Sequence, residues 1–427
     1  MLPITLLVLL ALIGLSVPVA AALGWLGLIM AHFFTRMPVH RAIGDIVWTN
    51  SIEFLLVAIP MFVMLGEILL RSGVATRMYD AMAKWLSWLP GGLMHSNIGA
   101  CALFAATSGS SVATAATVGT VAVPEMHKHG YNEPLFLGTI AAGGTLGILI
   151  PPSINLIVFG LLTNTSVSEL YLAGFIPGIL LAGLFMGTVV IACIYKPQWG
   201  GEKVAYSWSE RLNSLVHLAP PIFIFLVVVG SIYAGWATPT EAASLGVVSA
   251  LILAAFHRTL SFNMMREVFR GTMRTTAIIM FIIIAAVFLN FVLTAIGLTT
   301  QLTDFIVSLG LSPLGTLLLI VAFYLILGCF METFSMLITT ATIVTPIVVS
   351  MGYDPVWFGI LLMVLLETAL ITPPIGINLF VVQSIRSNGV LKDVMIGALP
   401  FVFTMFAMIA ILIAYPQLAL WLPNLFY

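Results

Sequence analysis

Apolar runs follow one another along this chain with little between them, and four of them are broken in the middle. Thr107-Ser108-Gly109-Ser110-Ser111 interrupts one run and Pro151-Pro152-Ser153-Ile154-Asn155 the next. Later, Gly328-Cys329-Phe330-Met331-Glu332-Thr333 and Thr372-Pro373-Pro374-Ile375-Gly376-Ile377-Asn378 do the same. The surroundings must be lipid. Of 427 residues, 61% are hydrophobic and 7% charged, with mean hydropathy +1.16, whereas a soluble domain carries about 25% charged residues. At membrane depth a broken helix is tolerated only where it is buried in protein or lines a cavity. The breaks are therefore the expected functional centre, and the fold class is an all-α polytopic membrane protein.

The runs give a segment plan. Residues 1–35 form an N-terminal helix, retained because no basic leader precedes it and the run is too long for a signal peptide. Residues 36–196 hold an interfacial helix through Trp48, a span at Phe54–Leu70 and a basic amphipathic stretch from Arg71 to Lys84. A split run at 93–126, a crossing broken at Pro151-Pro152 over 135–163 and a span at Leu170–Tyr195 complete this half. Residues 197–257 carry a polar linker and two spans, Leu215–Tyr233 and Glu241–Phe256. In residues 258–427 a basic segment through Arg274 precedes a span at Thr275–Val292. A split run at 316–350, a broken crossing at 356–384 and a last span at Val394–Trp421 follow. Each arm of the 93–126 run is about 15 residues, or about 22 Å, short of a core of about 30 Å. Re-entrant hairpins are expected at both split runs.

The second half repeats the first. Pro124 pairs with Pro346, Gly130-Tyr131 with Gly352-Tyr353 and Pro151-Pro152 with Pro373-Pro374, each 222 positions apart; Asn155 pairs with Asn378 and Pro177 with Pro400, 223 apart. Basic loops face the cytoplasm. This places Arg71–Lys84, Lys196–Arg211, Arg258–Arg274, Arg386 and Lys392 inside, and Thr163–Glu169, Thr299–Asp304, Met351–Pro355 and the C-terminus outside, with Arg36 and Arg41 as the exception. Paired loops then fall on opposite sides, so the repeat is inverted. Inverted repeats with interrupted helices mark secondary transporters, with the site at the breaks.

The chemistry at the breaks suits ions and a polar solute. Helix N-termini favour anions, and unwound carbonyls with hydroxyl side chains supply hard oxygens for Na⁺. Ser108, Gly109, Ser110, Ser111, Thr145 and Ser153 form one expected Na⁺ cage, and Glu332, Thr333, Thr372, Gly376 and Asn378 another. Substrate is expected near Ser110, Thr114, Asn155 and Asn378. Packing by small residues is the bland alternative. Glu67, Glu241 and Glu367 are carboxylates of structural or functional role, intramembrane carboxylates being functional candidates by default. His95 and His217 read as interfacial. Cys101, Cys193 and Cys329 show no metal or disulfide spacing and read as buried thiols. No catalytic constellation or phosphate loop is present, no cofactor is implied, and the net charge of −1 gives no sign of a nucleic-acid partner.

These motifs resemble the large membrane subunit of TRAP transporters, the tripartite ATP-independent periplasmic family. The likeness lies in Ala58-Ile59-Pro60-Met61-Phe62 with Gly66-Glu67, in Ser108 to Ala116, and in Ile150-Pro151-Pro152-Ser153. It continues in Ala237-Thr238-Pro239-Thr240-Glu241-Ala242-Ala243 and Thr372 to Asn378. The resemblance implies a bacterial inner-membrane elevator driven by sodium. A soluble periplasmic binding protein would deliver an organic acid such as a C4-dicarboxylate or sugar acid, and a small four-helix membrane subunit would be a separate chain. Family members often have Asp where Glu332 stands. A binding-protein-independent carboxylate transporter, a channel and a purely structural subunit are the alternatives.

Overall fold

The computed structural model describes residues 2–426 apart from 16, 36–37, 203, 299–300, 302–309, 329–330 and 387, with 2, 3, 6, 10, 13, 14 and 40 as backbone only. Arg36, Lys203, Cys329, Phe330 and nearly all of the 299–304 loop thus lie outside the described residues. Among those described, every regular element is helical.

The N-terminal run is two helices, α1 (Leu2–Gly14) and α2 (Val19–Phe34), separated before Pro18. Next come α3 (Ile43–Ser51), α4 (Ala58–Arg71) and α5 (Val74–Leu86). Hairpin 1 is α6 (Leu93–Ser108) with α7 (Ser111–Lys128), and the first broken crossing is α8 (Glu133–Thr145) with α9 (Ile154–Thr163). Three long helices follow, α10 (Val167–Tyr195), α11 (Trp208–Tyr233) and α12 (Pro239–Phe256). After α13 (Phe262–Ala295) comes the second split run, α14 (Pro313–Leu327) and α15 (Thr333–Ser350). The second broken crossing is α16 (Pro355–Ile371) with α17 (Ile377–Ile385), and α18 (Leu391–Ala414) and α19 (Gln417–Phe426) close the chain.

Several boundaries correct the sequence reading. The basic segment at 258–274 and the span after it are one helix of 34 residues. Composition changes at Thr275, but nothing there interrupts the backbone ladder, because the stretch contains no proline and its single Gly271 is tolerated. The last span ends at Ala414, and Pro416 separates it from α19. The polar linker is shorter than read, because Ser207 and Glu210 cap α11 reciprocally and start it at Trp208. His95 is not interfacial. It is fully buried at the start of α6, with Nε2 2.7 Å from the Pro90 carbonyl oxygen. Cys101 and Cys193 are buried free thiols.

Among the described residues, seven helical stretches are long and apolar enough to cross a membrane: 54–71, α10, α11, α12, α13, α15 and α18. The arm α15 thus meets that criterion, unlike the short arm expected for a re-entrant hairpin. Large apolar side chains such as Phe223, Leu226, Ile252, Phe281 and Phe403 remain on outer faces, as surfaces solvated by lipid require.

The packing separates two groups. In one, α13 lies on α2 and α4, α4 on α12, α12 on α11 and α11 on α5. The other contains the hairpins and broken crossings, with reciprocal contacts. Just as α7 packs on α17, α15 packs on α9, and α8 on α18 is matched by α16 on α10. The bounds of α7 recur 222 positions later as those of α15 (333 − 111, 350 − 128).

Candidate functional site

Hairpin 1 turns where Gly109 adopts a left-handed conformation, φ 61°. A Cβ on Gly109 would lie 2.6 Å from the Pro152 carbonyl oxygen, so glycine is required both by the turn and by the close approach to the first Pro-Pro break. Ser110 then caps α7, its Oγ accepting the Ala113 N–H at 3.4 Å. Thr114 Oγ1 donates to the Ser110 carbonyl at 2.6 Å. The hydroxyls of Ser108 and Thr114 are 3.2 Å apart; with the Thr114 proton committed, Ser108 is the donor of that pair.

At the second split run, hairpin 2 (α14 with α15), the residue at the cap of α15 is Glu332. Its Oε1 accepts the Phe334 N–H at 3.0 Å, and its Oε2 accepts the Ser335 N–H at 3.1 Å and the Ser335 hydroxyl at 3.0 Å. Ser110 and Glu332 are 222 positions apart, so the two tips share a backbone role and differ in charge.

Both tips line one cavity of about 120 Å³. Ser108 to Ala113, Ile148, Ile154 and Asn155 come from the first half, and Glu332, Thr333, Phe334, Leu370 and Ile377 from the second. The facing wall belongs to the other helix group, with Val63, Gly66, Glu67 and Leu70 of α4 and Thr275 and Ile279 of α13. A Cβ on Gly66 would lie 3.3 Å from Ser108 Cα, so α4 touches the hairpin 1 tip. Glu67 pairs with Arg71 one turn on, and its carboxyl lies 2.6 Å from where a Cβ of Gly271 would stand. Among the described residues, no lysine or arginine lines the cavity. The first turns of α7 and α15 do, and helix N-termini carry partial positive charge.

Ser108, Gly109, Ser110, Ser111, Asn155, Glu332, Thr333 and Glu67 are therefore brought together. Asn155 is 3% exposed, and its Nδ2 has no hydrogen-bond partner among the described residues. Thr114 stands one turn behind Ser110. The remaining expected residues do not line the cavity. Thr145 Oγ1 donates to the Ala142 carbonyl at 2.8 Å and Thr372 Oγ1 to the Thr368 carbonyl at 2.6 Å. Ser153 caps α9 through the Leu156 N–H, and Gly376 precedes α17 in a left-handed turn. Asn378 is fully buried and donates from Nδ2 to the Ala141 carbonyl on α8 at 3.1 Å, and its Oδ1 has no partner among the described residues. It stands behind the cavity wall.

Glu241 is far from the breaks in role. Its carboxylate closes a capping box on α12 by accepting the Thr238 N–H and hydroxyl, each at 2.8 Å. Glu367 is fully buried in α16, facing the backbone of Leu149, without a well-formed hydrogen bond to either oxygen among the described residues. Sequence reasoning missed the wall residues Thr275 and Ile279. The Thr-rich start of the apolar part of α13 was the available signal.

Comparison with known proteins places this geometry. Residues 6–418 match the family described as the DctM component of tripartite ATP-independent periplasmic transporters. The C4-dicarboxylate TRAP transporter large permease protein DctM of Pseudomonas aeruginosa is 35% identical over 385 residues, 90% of each chain. The protein of the same description from Rhodobacter capsulatus is 32% identical over 98% of this chain and 97% of its own. A sialic acid TRAP transporter large permease protein, SiaM of Vibrio cholerae, is 30% identical over 96% of this chain and 99% of its own. In three dimensions the YdaH transporter of Alcanivorax borkumensis matches with TM-score 0.55 over 88% of this chain and 89% of its own, at 13% identity, a likeness of fold alone. The chain belongs to the DctM family, the large permeases of TRAP transporters.

Proposed function

We propose that this permease carries a small organic acid inward with Na⁺ across the bacterial inner membrane, by an elevator movement. The observation that carries the reading is the shared cavity. Both hairpin tips and Asn155 form one wall, and α4 and α13 form the other. A site split between two packed helix groups is the geometry that sliding one past the other requires. The reciprocal packing of the halves supports an inverted repeat. The hairpins and broken crossings would move as one body, and α4, α11, α12 and α13 would stay.

Within the cavity the carboxylate of the substrate goes to the hairpin 1 tip. There the first N–H groups of α7 and the free Nδ2 of Asn155 are donors, and the acidic side chain on the facing wall, Glu67, is already paired with Arg71. Glu332 places its negative charge at the other tip, where Na⁺ is favoured beside Ser and Thr oxygens. About 120 Å³ is below the roughly 300 Å³ at which ligand pockets begin, so the tips part to admit the acid. A periplasmic binding protein delivers the substrate and a small four-helix chain is the membrane partner. The C-terminus and the 351–355 loop face the periplasm.

The test is a disulfide. An ideal Cβ on Gly66 lies 3.4 Å from Ser108 Cβ, close to the spacing of about 3.5–4.5 Å that a disulfide needs. Gly66→Cys with Ser108→Cys, in a chain whose own cysteines are replaced, is expected to oxidise readily and stop sodium-driven uptake in proteoliposomes. Reduction then restores the rate of the singly substituted chains. Full uptake with the bond quantitatively formed rules out the elevator and leaves a local gate.

A further inference from the structure

The two ends of the repeat differ at a place outside the central cavity. At one end, Arg386 lies between the N-terminal ends of α8 and α18. Its guanidinium pairs with Glu133 and with Asp393 at 3.3 Å, and bonds the Gln383 side chain at 3.1 Å and the Val390 carbonyl at 3.4 Å. Glu133 opens α8, and Asp393 is the third residue of α18.

The pseudo-equivalent place at the other end lies between the N-terminal ends of α16 and α10. There the structure has a cavity of about 560 Å³. Glu169, the third residue of α10, lines it as Asp393 flanks Arg386, and Asp354 lines it at the head of α16. Asp354 spends Oδ1 on the Val356 and Trp357 N–H groups, and neither carboxylate has a salt-bridge partner among the described residues. Among the described residues, no lysine or arginine lines this cavity.

An independent feature points the same way. Thr345 lines the cavity, is 4% exposed, and its hydroxyl has no partner among the described residues. A threonine within a helix ordinarily bonds the carbonyl four residues back. Pro346 beside it has no N–H to give the Thr342 carbonyl, and Thr342 also lines the cavity. A buried hydroxyl without a partner is costly unless a ligand satisfies it.

We propose that this cavity is a binding site for one organic cation, a guanidinium or primary ammonium group, held between Glu169, Asp354 and the Thr345 hydroxyl. The class follows from three properties. The charge is negative on every titratable group of the lining. The space far exceeds a bare metal ion, whose oxygen ligands must close to about 2.3–2.6 Å. At the corresponding place the chain itself supplies a guanidinium.

The group can arrive on a free amine or on a lysine or arginine of a protein docking over this face, and the test separates the two. Methylguanidinium chloride is titrated calorimetrically into the purified permease in detergent at constant ionic strength, with N-methylurea and NaCl as controls. Saturable methylguanidinium binding is expected, with none for N-methylurea. Glu169→Gln, whose side chain makes no capping bond, and Thr345→Val should each weaken it, the first by roughly tenfold or more, since one lost charge contact of 1.4 kcal/mol is tenfold in affinity. If methylguanidinium and Glu169→Gln also weaken the docking of the delivering protein, the cation is that protein's side chain. If docking is unchanged while methylguanidinium still binds, the ligand is a free amine. Binding that fails to saturate, or that is the same in Glu169→Gln, overturns the site.

Discussion

The two hairpin tips are the same backbone device built with opposite electrostatics. Both begin an 18-residue helix at the wall of the cavity. Ser110 satisfies one N–H of α7 and adds no charge. Glu332 satisfies two N–H groups of α15 and a hydroxyl, and its charge offsets the positive end of that helix. The first tip keeps its affinity for anions, and the second has already met it with its own side chain. In the function proposed above, two tips of like backbone would thereby form an asymmetric site, with one pole for a carboxylate and one for a cation.

The comparison breaks most visibly if hairpin 1 is given the charge of hairpin 2. Ser110→Asp keeps a capping oxygen and places a carboxylate where the substrate anion should rest. Two like charges 4 Å apart repel by about 4 kcal/mol at an effective dielectric constant of about 20, which is enough to bring uptake below detection at ordinary substrate concentrations. An unchanged KM for substrate in proteoliposomes would mean that the anion does not use this tip.

The reciprocal change is smaller. Glu332→Ala removes the cap, a loss of about 0.5–2 kcal/mol, and the charge with it. The Tm of the purified chain should fall, and the Na⁺ concentration for half-maximal uptake should rise. Glu332→Ser separates the two effects by giving the second tip the cap of the first. It should recover the Tm while leaving Na⁺ activation weak. Recovery of both would make Glu332 a cap and nothing more.

The pairing of these tips was legible from sequence because glycine, proline and small hydroxyls are local signals. The offset of 222 located Pro124 with Pro346 and the two Pro-Pro breaks, and the helix bounds at 111–128 and 333–350 keep it. What stayed hidden depends on contacts between distant segments. Glu67 was marked by its place in an apolar run and Thr275 by the Thr-rich start of the apolar part of α13, but that they join Ile279 in one wall facing the tips is set by packing of α4 and α13. The continuity of α13 was obscured because a change from charged to apolar sequence looks like a boundary, although backbone hydrogen bonds ignore it. The side-chain direction of Asn378 was likewise unreadable. It is set by a carbonyl on α8, 237 residues away in sequence.

A mild interference with the movement itself comes from Gly66. A Cβ there would stand 3.3 Å from the Ser108 backbone, tighter than most contacts. Gly66→Ala should slow uptake while leaving the substrate KM and the Na⁺ requirement unchanged, because α4 presses on the tip without binding the solute. A raised KM with an unchanged maximal rate would instead put this contact in the binding site.

The smallest expected effect distinguishes the two asparagines that the repeat pairs. Asn155 has a free donor at the cavity, whereas Asn378 has its donor bound to the Ala141 carbonyl and its acceptor buried behind the wall. Asn155→Ala therefore removes one hydrogen bond to substrate, about 0.5–1.5 kcal/mol net, and should raise KM a few-fold with little change in Tm. Asn378→Ala removes a bond inside the fold and strands the Ala141 carbonyl, so it should lower Tm and reduce the amount of active transporter while KM holds. Uptake kinetics normalised to folded protein, with a melting curve for each variant, resolves the pair. If Asn378→Ala raises KM at constant Tm, both asparagines meet the substrate and the site is more symmetric than its charges suggest.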